Sequence, residues 1–129
     1  MAPSSRFAVE SGFGEKAVSW IREYVQTNDV KLDVKNEEYT LFSKNFGIFE
    51  IISWKGNWND ARKIILKASK KMKIKVIDPG YHEKNNLLMS FIGASKEYGK
   101  VFSKGSFVGI VTLGVKSGKL IIKDEKRSS

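Results

Sequence analysis

The stretch from Trp54 to Asp78 constrains the fold of this chain more than any other. Ala61, Ile64, Ile65, Ala68 and Met72 recur at helical spacing there, and at about 100° per residue they fall in one stripe. Arg62, Lys63, Lys67, Lys70 and Lys71 occupy the rest of the circumference. Such a segment docks one side on a core and presents cations on the other. Gly56 breaks the β-rich run before it, and Asn57 is a good N-cap with Asp60 three residues on, a capping box built with a shorter acid. The pattern predicts a helix over 57–72. Lys70, Lys71 and Lys73 sit at its negative end, where each cation stabilises the helix by about 0.3–1 kcal/mol. Part of the cation cluster is therefore explained without any ligand.

A second amphipathic stripe, Ala17, Val18, Ile21, Tyr24 and Val25, predicts a helix over 14–27. Glu15 suits its positive end, and Asn28-Asp29 stops it. Residues 1–12, with Pro3, Ser4, Ser5 and Ser11, read as a flexible N-terminal arm that Phe7 and Phe13 pin to the body. Val30–Lys35 alternates as a half-buried strand, and Asn36-Glu37-Glu38 reads as a turn. Tyr39–Ser43 and Gly47–Trp54 form a hairpin about Lys44-Asn45-Phe46. In its second arm Phe49 and Ile51 oppose Ile48, Ile52 and Trp54, so a central strand covered on both faces is expected.

After the basic helix, Lys73–Ile77 alternates again and ends at the turn signal Asp78-Pro79-Gly80. Residues 81–86 read as an exposed loop. Residues 87–92 fit a strand followed by a loop; an interrupted helix is the alternative, in which Gly93 and Gly99 would each cost about 1 kcal/mol relative to Ala. Phe107–Val115 and Leu120–Lys123 are strands about a tight Ser117-Gly118 turn, and 125–129 is a charged tail. The expectation is an α+β protein: a single domain over 13–124, with two amphipathic helices on one face of a mainly antiparallel sheet. The pattern does not give the strand order.

Charge narrows the function. There are 23 Lys and Arg against 14 Asp and Glu, a net charge of +9. Residues 1–56 hold seven basic and eight acidic groups, and residues 57–129 hold the remaining sixteen and six. A sustained positive potential in the second half favours a phosphate-rich partner or an anionic membrane surface. Only four of the cations are Arg, and Lys acts as a point charge rather than a bidentate fork, so backbone contact is expected over base-edge reading. The expected nucleic-acid contacts, to RNA or DNA, are Lys55, Arg62, Lys63, Lys67, Lys70, Lys71, Lys73 and Lys75. Trp54 and Trp58 flank them as candidate stacking residues, against the plainer reading that both belong to the core.

Other chemistry is thinner. With no Cys and one His, thiolate and multi-histidine metal sites are excluded, no metal ligand set is assigned and no cofactor is expected. His82 shares a loop with Tyr81, Glu83 and Lys84, the residue types of a metal-independent ribonuclease: general acid and base, and a cation for the phosphorane. Asp33-Val34-Lys35 carries the acid-x-Lys spacing of metal-dependent nucleases, a short and common pattern. Neither glycine cluster matches a phosphate-binding fingerprint. No signal peptide and no transmembrane segment are expected, and the expected location is intracellular, cytoplasmic or nucleoid-associated. A nucleic-acid-binding accessory or regulatory protein is thus the first expectation. A toxin-like ribonuclease and an assembly protein, such as a virion component meeting an acidic partner, are the alternatives.

Overall fold

The computed structural model describes residues 4–78, 97–116 and 119–127. Its elements, in chain order, are β1 (Ser4–Glu10), α1 (Gly14–Thr27), β2 (Leu32–Ser43), β3 (Gly47–Gly56), α2 (Trp58–Met72), β4 (Lys75–Asp78), β5 (Glu97–Ser103), β6 (Ser106–Lys116) and β7 (Lys119–Arg127). The seven strands among the described residues form one antiparallel sheet in the order β2-β3-β1-β4-β5-β6-β7. The α+β class and the two helices on one face are as the sequence predicts. The β1-α1-β2-β3-α2-β4 half has the ferredoxin-like split βαβ order, and β5–β7 extend it as a meander beyond β4.

Side-chain alternation sorts the core into two layers. Phe7, Val9, Val34, Ile52, Trp54, Val76 and Phe102 face the helices and pack with Ala17, Val18, Ile21 and Val25 of α1 and Ala61, Ile64 and Ile65 of α2. Ala8, Leu41, Phe49, Ile51, Ile77, Val101 and Val111 form a second cluster on the other face. No described helix covers that side. Instead the sheet curls, bringing Cα atoms of the edge strands β2 and β7 within 8 Å of each other, so the second cluster fills the inside of the curl as side chains fill a small barrel.

Four expectations need correction. The supposed N-terminal arm is a central strand: β1 pairs with β3 over residues 4–10 and with β4 at Ala8 and Val9. Its apolar run is only Phe7–Val9, and partners more than 40 residues away make it a strand. The turn expected at Asn36–Glu38 is a register irregularity inside one long β2. Glu97–Ser103, expected as loop, is β5, because it pairs with β4 over residues 100–103 and with β6 along its whole length. Glu125–Arg127 belong to β7 rather than to a tail. The strand expected at 87–92 and the Ser117-Gly118 turn lie outside the described residues.

The helix termini show why the helices sit where they do. Asn57 Oδ1 accepts from the backbone N–H of Asp60 at 3.1 Å, the predicted cap of α2. Lys73, expected to open β4, instead takes the left-handed conformation (φ 58°) that ends α2, its N–H donating to the Ser69 carbonyl. The residue at the N-cap of α1 is Phe13, whose side chain cannot cap. That end is served from β3: the Glu50 carboxylate accepts from the N–H groups of Gly12 (2.6 Å) and Gly14 (3.1 Å).

Candidate nucleic-acid interface

The buried stripe of α2, Ala61, Ile64, Ile65, Ala68 and Ser69, fixes the helix rotation. Lys63, Lys67, Lys70 and Lys71 are consequently exposed on its outward side, and Lys73 at its C-cap is exposed too. Among the described residues none of these five is in an ion pair. The Lys67 ammonium lies 6.0 Å from the centroid of the Tyr24 ring on α1, and Tyr24 is itself stacked with Trp20 at 5.3 Å.

The other predicted cations do not join this face. Arg62 Nε donates to Asp78 Oδ2 at 2.8 Å, which ties α2 to the end of β4. Lys75 has the strand parity of Ile77 and so lies on the face away from the helices, where its ammonium is 3.6 Å from Glu10. Lys55 has the parity of Ile51 and lies on that same far face, opposite Asp33 in the ladder. The eight-residue set is thus split: five lysines on the helix layer, Lys55 and Lys75 behind the sheet, and Arg62 engaged internally.

The aromatic candidates resolve toward packing. Trp54 is 3% exposed, its ring 4.3 Å from that of Phe7, so it is no stacking surface; the strand parity that buries Ile52 buries it as well. Trp58, half-buried, packs against the helix-side core. His82, Tyr81, Glu83 and Lys84 lie outside the described residues.

No family model, curated protein or solved structure matches this chain.

Two residues that no periodicity singled out complete the basic face. The β5–β6 hairpin turns through Lys104 and Gly105, both with positive φ (54° and 85°), the signature of a two-residue primed turn. Its tip is fastened to the end of α2: Gly105 N–H donates to Ser69 Oγ (3.1 Å), Ser69 Oγ–H donates to the Ile74 carbonyl (2.7 Å), and Lys104 N–H donates to that carbonyl at 3.3 Å. A Cβ built on Gly105 would lie 3.1 Å from Lys70 Cβ, so the two segments are in close contact. This brings exposed Lys104 beside Lys70. Phe107 follows on the same hairpin, 47% exposed, with its ring 6.0 Å from Phe102 in edge contact. The signal available in the sequence was the Lys-Gly turn itself, but its docking on α2 is a tertiary contact.

Behind the sheet, Arg6, Asp33, Lys35, Glu37, Ser53 and Lys55 line a cavity of about 210 Å³. Asp33 and Lys35, the acid-x-Lys pair, do share one face there. Lys35 lies 3.8 Å from Glu37, and no group of three or more metal-ligating side chains exists among the described residues. The alternating signs make this a mixed-charge cavity, in contrast to the lysine-rich outward side of α2. No helix among the described residues is long and apolar enough to cross a membrane.

Proposed function

We propose that this protein binds nucleic acid chiefly through backbone phosphates, as an accessory or regulatory factor without catalytic activity. The observation that carries this reading is the set of exposed lysines at 63, 67, 70, 71 and 73, none of them in an ion pair among the described residues, extended by Lys104 from the docked hairpin. An exposed set of unpaired ammonium groups attracts a phosphate chain and gains entropy by releasing its counterions. Lysine suits this role because a point charge accepts many phosphate geometries.

Fluorescence anisotropy of labelled RNA and DNA over a salt series tests the reading. Affinity should fall steeply with salt, and replacing Lys63, Lys67, Lys70 and Lys71 together by Ala should flatten that dependence. Absence of binding to either polymer at low salt would overturn it.

An assembly role is the second reading, favoured by a different observation. Phe42 and Ile48 face each other across the β2–β3 hairpin and are 68% and 49% exposed. An apolar pair of this kind at an edge hairpin is a usual contact in subunit association. Sedimentation over a concentration range, with and without nucleic acid, separates the two readings.

A further inference from the structure

Beside α2 the helix-side face of the sheet continues past the end of the helix layer. Arg62 reaches Asp78 on β4, Asp78 pairs in register with Lys100 on β5, and Lys100 pairs with Ile110 on β6. One step along, Phe102 pairs with Phe107. Phe102 belongs to the helix-side core, which places Phe107, Lys100 and Ile110 on that same face. The extra residue of β6 at the register shift, Val108, packs into the opposite cluster. The result is a shelf at the flank of α2: half-exposed Phe107 follows the turn that carries exposed Lys104 and abuts Lys70, and exposed Lys100 lies on the same sheet face.

We propose that this shelf is a subsite for single-stranded nucleic acid, in which a base stacks on Phe107 while Lys70 and Lys104 hold the adjoining phosphates. The proposal rests on the phosphate-binding reading of α2 and names the form of nucleic acid it takes. Charge complementarity selects this occupant. An apolar protein partner would not require three cations on the same shelf as the ring, and a duplex keeps its bases stacked and unavailable to Phe107. The ring is also held ready: the turn that precedes it is fixed by hydrogen bonds to Ser69 and Ile74, so little ordering remains to be done on binding. The Trp20–Tyr24 pair is a weaker candidate, since those rings already stack on each other and share their cavity with Glu23. Stacking on a phenyl ring tolerates any base, so weak sequence preference is expected.

The test compares wild type, Phe107→Ala, Phe107→Leu and Phe107→Trp for binding to labelled oligo(dT), oligo(U) and a DNA duplex of equal length at two salt concentrations. Phe107→Ala should weaken single-strand binding about 5- to 150-fold, the equivalent of one lost stacked base. Its salt slope and its duplex affinity should stay unchanged. Phe107→Leu, which keeps an apolar contact with Phe102, should lose as much, so a folding defect in the Ala variant leaves the test intact. Phe107→Trp should restore or exceed wild-type affinity. The two single strands report whether RNA or DNA is preferred. If wild type binds but both truncations stay within twofold of it, the shelf proposal is overturned while the lysine reading stands. If wild type binds neither strand nor duplex at low salt, the lysine reading fails first.

Discussion

Arg62 and Asp78 are joined by a hydrogen-bonded ion pair of 2.8 Å in which the Asp78 side chain is 4% exposed and the Arg62 side chain 36%. The pair fastens the first turns of α2 to the end of β4, so the one arginine of the basic helix serves the fold. Arg62→Ala should destabilise the protein by about 1–3 kcal/mol, because it deprives a buried carboxylate of a charged donor. The salt slope of nucleic-acid binding should hardly change. Denaturant unfolding and anisotropy on the same variant check both halves of this statement.

The exposed lysines should behave in the opposite way. Lys63→Ala and Lys67→Ala each remove a solvated side chain, so stability should stay within about 0.5 kcal/mol of wild type. If each contacts a phosphate, each substitution should reduce the magnitude of the salt slope by about 0.7–0.9. An unchanged slope for both, measured from 50 mM upward, would remove them from the interface.

Ser69 is fully buried and joins three segments: α2, the start of β4 through Ile74, and the β5–β6 turn through Gly105. Ser69→Ala should cost about 1–3 kcal/mol by removing two hydrogen bonds, each worth about 0.5–1.5 kcal/mol. Gly105→Ala should also destabilise, since the residue holds φ 85° and its new Cβ would press on Lys70. Thermal unfolding of both variants measures the loss, and both should weaken single-strand binding by loosening the turn that carries Lys104.

Glu50 caps α1 from a strand 36 residues away in sequence from Gly14. Glu50→Ala should cost about 0.5–2 kcal/mol, as for other lost N-caps. Gly14→Ala should act through the same cap: its Cβ would sit 2.8 Å from both Asn36 Nδ2 and Glu50 Oε1, so the Glu50 carboxylate must move from its capping position. Hydrogen exchange of the first-turn amides of α1 is the direct readout, with faster exchange expected in both variants.

Trp54→Ala should reduce stability by about 3–5 kcal/mol, the range for a large aromatic removed from a packed core. Nucleic-acid affinity, measured at a temperature where the variant stays folded, should be unchanged. A selective loss of binding would mean that Trp54 does contact the ligand.

The legible parts of the fold were those whose causes are local. The stripe Ala17–Val25 fixed α1, and the stripe Ala61–Met72 with the Asn57 cap fixed α2 and the outward position of its lysines, because helical periodicity is set by backbone geometry alone. Alternation likewise marked Gly47–Trp54 as a strand covered on both faces. What tertiary structure decided was every feature made by distant residues. Phe7–Val9 became the middle of the sheet only by pairing with β3 and β4; Lys55 and Lys75 went behind the sheet because strand parity, fixed by register, assigns their side. Arg62 was withdrawn from the basic face by an acid sixteen positions later, and Lys104 and Phe107 joined it because a two-residue turn happens to land on Ser69. Periodicity tells which side of an element is apolar, whereas the identity of its neighbour depends on how the whole chain closes its sheet.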